Sequence, residues 1–171
     1  LGKWLKDSDH ARKEYFLTGK VAQSEQGYEE TLSAFQKSLT ELQTDYLDLY
    51  LVHWPKEKPF FETWRALEHL YDEGLIRAIG LSNFEANRLD RLLTKAKIMP
   101  AVDQLETHTY FSNHVTHDYL EKLGIQHQAW SPLGHGGQEL TNPVIKSLAK
   151  KYDKSTGQII LRWLYQKGVA T

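Results

Sequence analysis

Hydrophobic and polar positions along this chain switch repeatedly between two periods. Tyr28, Leu32, Phe35, Leu39 and Leu42 recur at helical spacing between polar residues, which predicts an amphipathic helix over roughly 26–42. Ahead of it the apolar run Tyr15-Phe16-Leu17 leads into Thr18-Gly19-Lys20 and reads as a strand. Behind it LDLYLVH (47–53) is nearly continuous in apolar and β-favouring residues, as suits a strand covered on both faces. Phe60, Trp64, Leu67 and Tyr71 form a second helical stripe, closed by Gly74. Strand-like IRAIGLSN (76–83) follows, then a helix over about 85–96 built on Leu89, Leu92 and Leu93, then strand-like AVDQLE (101–106). Val115, Tyr119 and Leu123 make another helical stripe before IQHQAWS (125–131). The last helical region carries Val144, Ile145, Leu148, Ala149 and Tyr152, with Pro143 at its first position behind a cap at Thr141 or Asn142. It restarts near Ser155 with Ile159, Ile160, Trp163 and Leu164, and Val169-Ala170-Thr171 opens a further strand.

Strands therefore begin near 15, 47, 76, 101 and 125, at intervals of roughly 24 to 32 residues. That is the length of a strand plus a crossover helix, so the sheet is expected to be parallel. Polar side chains cluster at the C-terminal ends of these strands: Lys20, His53-Trp54, Ser82-Asn83, Gln104 with Glu106, and Trp130-Ser131. A (β/α)₈ barrel draws its chemistry from such positions on several strands, whereas an open doubly wound sheet usually starts with a G-x-G-x-x-G turn, which is absent after the first strand. A complete barrel takes about 250 residues, and 171 residues supply five strands and a stub. The expected architecture is α/β, an incomplete (β/α)₈ TIM barrel forming one domain over 1–171, with units lacking at both ends. The opening residue is Leu1, not Met, in keeping with a fragment.

Composition narrows the functional classes. With 21 basic and 22 acidic side chains the formal charge is -1, which gives no electrostatic case for nucleic acid or an anionic membrane surface. The absence of cysteine excludes a disulfide framework, thiol catalysis and a thiolate metal site, and fits a reducing, cytoplasmic setting. The longest apolar runs are of strand length, too short for a spanning helix. His114 and His117 are three apart on a helix but have no carboxylate at a supporting spacing, so no metal is expected there.

The strand-end residues each have a plain and a chemical reading. His53 is either a satisfied structural imidazole or a catalytic one, and Lys20 is either leaving for solvent or tuning a neighbouring group's pKa. Ser82-Asn83 suits a turn and helix cap, and equally a carboxamide-bearing ligand. The strand pleat sends Gln104 and Glu106 to one face. Trp130 offers a stacking surface for a planar heterocycle. Gly134, Gly136 and Gly137 surround His135 in a loop whose amides suit phosphate oxygens.

The segment from Gly27-Tyr28 through Leu42 into DYLDLYLVHWP (45–55) resembles the aldo-keto reductases closely, as do RAIGLSNF (77–84), VDQLETH (102–108), AWSPLG (129–134) and the late LRW (161–163). The resemblance runs in order along essentially the whole chain and corresponds to about strands 3 to 7 and the start of strand 8 of a barrel. It implies reduction of aldehydes and ketones to alcohols by NADPH, with NADH as the other option. Of the family's four catalytic residues, Lys20 matches the lysine that lowers the tyrosine's pKa, and His53 matches the histidine that orients the substrate carbonyl. Ser82, Asn83 and Gln104 match the positions holding the nicotinamide carboxamide. Trp130 sits where an aromatic ring stacks on the nicotinamide, and Ser131, Leu133 and Gly134 match the loop that approaches the pyrophosphate. Trp54 matches a wall of the substrate pocket.

The chain also departs from the pattern. The family's aspartate and tyrosine precede the lysine, and nothing before Lys20 matches them: Tyr15 falls within the strand leading to Lys20, and Asp7 and Asp9 lie in the preceding linker. Thr109, Gly19 and Asp103 stand where proline, another residue and asparagine are usual. The resemblance thus implies part of a longer reductase, acting on a small-molecule carbonyl and monomeric when complete. A fragment with open strand edges would tend to self-associate. The alternative is a naturally short, catalytically dead binding protein that keeps part of a nucleotide pocket.

Overall fold

A computed structural model describes residues 1–171, which divide into two compact units, Leu1–Ala101 and Val102–Thr171. The first unit contains helix α1 (Gly2–Asp7), strand β1 (Thr18–Val21), helix α2 (Tyr28–Leu42), strand β2 (Leu49–Val52), helix α3 (Phe60–Asp72), strand β3 (Ile79–Ser82) and helix α4 (Ala86–Leu93). Its strands pair in parallel, with Val21 opposite Val52 and Val52 opposite Leu81. All four residues of β2 are buried, as the continuous apolar run predicted for a strand covered on both faces. Phe35 of α2 and Trp64 and Leu67 of α3 are fully buried and pack as the helical layer of this core.

β1 begins at Thr18, three residues later than the apolar run suggested, so Tyr15 precedes the strand and does not lie inside it. Asp48 explains the difference. Its buried carboxylate accepts the Leu17 N–H at 2.9 Å and the Arg12 guanidinium at 2.8 Å, with Arg77 at 3.5 Å. The Arg12 and Arg77 guanidinium carbons lie 3.8 and 4.2 Å from the Tyr46 ring centroid. The chain before Thr18 is therefore held by these side chains together with the Leu17 carbonyl, which accepts the Asp48 and Leu49 N–H groups at 3.1 and 3.2 Å, and Phe16 is 71% exposed. The short helix α1 is not predicted from the sequence, because its six residues carry no apolar stripe of useful length.

The second unit contains β4 (Val102–Glu106), α5 (His114–Leu123), β5 (Gln126–Trp130), α6 (Gln138–Thr141), α7 (Pro143–Tyr152) and α8 (Thr156–Gln166). β4 and β5 are parallel and paired along their whole length, from Val102 opposite Gln126 to Glu106 opposite Trp130. The stub after α8, expected to open a further strand, forms one isolated parallel bridge: Ala170 pairs with Gln128, its N–H donating to the His127 carbonyl at 3.0 Å. Asn142, not Thr141, caps α7, accepting the Val144 N–H at 2.9 Å with Pro143 following. Ser155 and Gln158 form a capping box on α8. Ala129, Ile160, Leu164 and Val169 are the buried core of this unit. No helix in the chain is long and apolar enough to cross a membrane.

Candidate active site

In the first unit the candidate residues stand where the three strands end. Lys20 is the third residue of β1, and His53 follows directly on β2, its N–H donating to the Val21 carbonyl at 3.2 Å. The Lys20 pKa is lowered by desolvation, although the residue as a whole is exposed. The His53 pKa is also lowered, first by desolvation and then by the positive charge of Lys20. Two groups from neighbouring strands thus sense each other, and His53 is biased toward the neutral imidazole.

Ser82 is fully buried at the end of β3, and Asn83 follows in the left-handed region at φ 64°. The Asn83 amide donates to the His53 carbonyl at 2.9 Å and lies 3.0 Å from the Ser82 hydroxyl. Neither residue caps α4, whose N-cap is Glu85 without a side-chain bond, so the plain reading of Ser82-Asn83 as a helix cap is not what forms. Asn83 instead ties the end of β3 to the end of β2. Trp54 is exposed beside His53, with ring centroids 6.5 Å apart. Its loop is pinned by Gln26, a residue that no periodicity or motif singles out. The buried Gln26 amide donates to the Trp54 carbonyl at 2.6 Å and accepts the Lys56 N–H at 3.3 Å. A glutamine in the loop following a site lysine was the available signal.

In the second unit Gln104 and Glu106 share the partly exposed face of β4, as the pleat predicted, while Asp103 and Leu105 are buried on the other. The Gln104 amide donates to Gln128 at 2.9 Å. Trp130 ends β5 half-buried, its ring 6.4 Å from that of His135. Beyond it the backbone turns sharply: Ser131 (φ 51°), Gly134 (φ 55°), His135 (φ 55°) and Gly136 (φ 77°) are all left-handed. The Ser131 hydroxyl meets His135 Nε2 at 2.9 Å. Leu133 packs its side chain against the core cluster and so anchors the loop from below. Four left-handed residues within six give a peptide chain with amides turned in varied directions, as anion-binding loops require.

These observations define an α/β protein with parallel strands and polar chemistry at strand ends. Residues 1–171 match the Aldo/keto reductase family, and the chain belongs to that family. It is 52% identical to the glyoxal reductase of Bacillus subtilis (strain 168) over 171 residues, covering all of this chain and 62% of that protein. Among solved structures, an aldo/keto reductase from Brucella melitensis superimposes with a TM-score of 0.93 at 45% identity, covering 98% of this chain and 65% of that one. A mutant of Gox0644 in complex with NADPH superimposes at 0.91 with 37% identity, covering 99% of this chain and 62% of that one. The chain spans about three fifths of the length of the curated relatives it matches. Its five strands match part of the barrel of these enzymes, as expected from the unit lengths.

Proposed function

We propose that residues 1–171 are the central part of a reductase that converts small aldehydes and ketones to alcohols with NADPH, and that they contribute to a single barrel domain in the whole protein. The observation that carries this reading is the placement of Lys20 and His53 at the ends of two paired parallel strands, the His53 N–H donating to the Val21 carbonyl at 3.2 Å. Hydride arriving at a carbonyl carbon builds negative charge on oxygen, so donors must be aimed at that atom. A neutral His53 presents an N–H donor to the carbonyl oxygen, and Trp54 forms an apolar wall beside it. Lys20 is placed to lower the pKa of the tyrosine proton donor that the family supplies from outside this chain.

The nicotinamide cofactor supplies the hydride, and the residues present fit its groups. Ser82, Asn83 and Gln104 offer hydroxyl and amide partners for the carboxamide, Trp130 offers a ring for stacking, and Ser131, Leu133 and Gly134 offer a curled loop for the pyrophosphate. That one relative acts on glyoxal and another structure holds NADPH supports a small carbonyl and this cofactor. The test is turnover of methylglyoxal with NADPH by the full-length protein containing these residues. Lys20→Met and His53→Ala are each expected to lower kcat by a factor of ~10² or more. Wild-type turnover in both variants would overturn the assignment.

A further inference from the structure

Outside the residues already described, the second unit carries a charged cluster with no evident part in holding the core. Glu139 of α6 is buried, at 5% exposure. Its Oε1 lies 3.0 Å from Nδ1 of His108, in the loop after β4, and His108 Nε2 lies 3.5 Å from Glu106 at the end of that strand. The Glu139 contact is within ion-pair reach but off hydrogen-bond geometry. A buried carboxylate costs several kcal/mol unless compensated, and the His108 imidazole is the ionisable group that stands nearest to it.

The carboxylate also lies against the glycine loop. A Cβ built on Gly134 would collide with it, and one on Gly137 would stand 3.8 Å from Oε2. The loop curls around this group through three main-chain bonds: Gly134 N–H to Ser131 at 2.9 Å, Gly136 N–H to Leu133 at 3.0 Å and Gly137 N–H to Gly134 at 2.9 Å. Gly134 is thus required twice, by its left-handed φ and by the acid packed on its Cα.

We propose that Glu139 is a positioning residue for the cofactor pyrophosphate: held by His108, it props the curl of the Ser131–Gly137 loop from within. The inference rests on the NADPH-dependent reading above. Removing the acid leaves the curl without its internal support, so the loop loses pre-organisation and must be ordered by the cofactor. Two probes separate this from general damage: NADPH, which carries the pyrophosphate, and reduced nicotinamide riboside, which carries the ring and no phosphate.

In the full-length protein, Glu139→Ala is expected to weaken NADPH binding ~10-fold, with the riboside's affinity and kcat at saturating NADPH nearly unchanged. Glu139→Gln, similar in shape, is expected to keep the curl and lose less. His108→Gln, which removes the imidazole that flanks the acid, is expected to weaken NADPH at least as much as Glu139→Gln does. Equal weakening of NADPH and riboside, or unchanged NADPH binding in Glu139→Ala, would overturn the positioning role. Failure of the wild-type protein to bind NADPH at all would sink the reductase reading and this inference with it, whereas tight wild-type binding with indifferent variants sinks the inference alone.

Discussion

The main-chain N–H of His53 bonds the Val21 carbonyl at 3.2 Å, which sets His53 one step beyond β2 and next to the strand that carries Lys20. The parallel register makes this geometry unavoidable. Once Val21 lies opposite Val52, the next residue of β2 must emerge beside the end of β1, and the ammonium of Lys20 then opposes a second positive charge on the imidazole.

Lys20→Met should therefore raise the pKa of His53 toward its ordinary value. Removing the ammonium removes one of the two penalties on the imidazolium, while the larger one, desolvation, stays. The sign follows directly: less repulsion favours the protonated form, so the titration moves to higher pH. Following the His53 ring signals by NMR across pH 4 to 8 tests this, and an unmoved or lowered midpoint would remove Lys20 as a cause.

His127 predicts a pH dependence of stability. Its ring is buried, bonded to the Thr107 hydroxyl at 2.8 Å and set 3.2 Å from Nδ1 of His117, and its pKa falls from the ordinary 6.5 to about 4. Burial is the main cause and the His117 charge the second. The unfolded chain binds this proton more readily, so the contribution is full above about pH 6.5 and is lost as pH falls through the folded value. Chemical denaturation should show a loss approaching about 3 kcal/mol between pH 7 and pH 4 from this group. His127→Gln should flatten that part of the profile, and an unchanged slope would count against it.

Periodicity alone carried much of the fold. The stripes at Tyr28–Leu42 and Phe60–Tyr71 and the buried run at Leu49–Val52 each record which face meets a neighbour, and burial is what the apolar pattern encodes. The start of β1 was not legible, because Asp48 and Arg12 meet across 36 positions and no local pattern announces such a pair. The same holds in the candidate site. Lys20, His53 and Trp130 stand at strand ends and could be picked from position, but Gln26 and Glu139 meet partners distant in sequence, Trp54 and His108. Asn83 was legible as a polar turn residue, while its bond to the His53 carbonyl was not.

Asp48→Ala should be among the most damaging substitutions in the first unit. It strips the Leu17 N–H of its acceptor and leaves Arg12 facing a buried space without its counter-charge. Removing one partner of a buried ion pair typically costs about 3 kcal/mol or more. The Arg12 bonds to the Thr44 side chain and to the Tyr15 and Tyr46 carbonyls offset part of that. Asp48→Asn retains acceptor oxygen for the Leu17 N–H and should cost less. Denaturation midpoints for the two variants test the order, and an Asn variant as unstable as the Ala variant would show that charge matters more than the bond to Leu17.

Packing explains why glycine suits position 19. A Cβ there would stand 2.9 Å from Leu47 Cδ1 and from Cδ2 and Cε2 of Tyr50. Neither neighbour yields easily: both are fully buried, and the Tyr50 ring meets Phe35 edge-to-face at 5.2 Å. Gly19→Ala gains backbone rigidity in the unfolded chain but overpacks this contact, and overpacking of this kind costs about 1–3 kcal/mol. The substitution should therefore lower stability, although alanine is otherwise the better strand residue. Combining it with Tyr50→Leu should recover part of the loss, because the ring that the new methyl meets is gone. A double-mutant cycle measures that coupling. Additive losses in the two variants would show that the β1 backbone, and not the Tyr50 ring, sets the requirement for glycine.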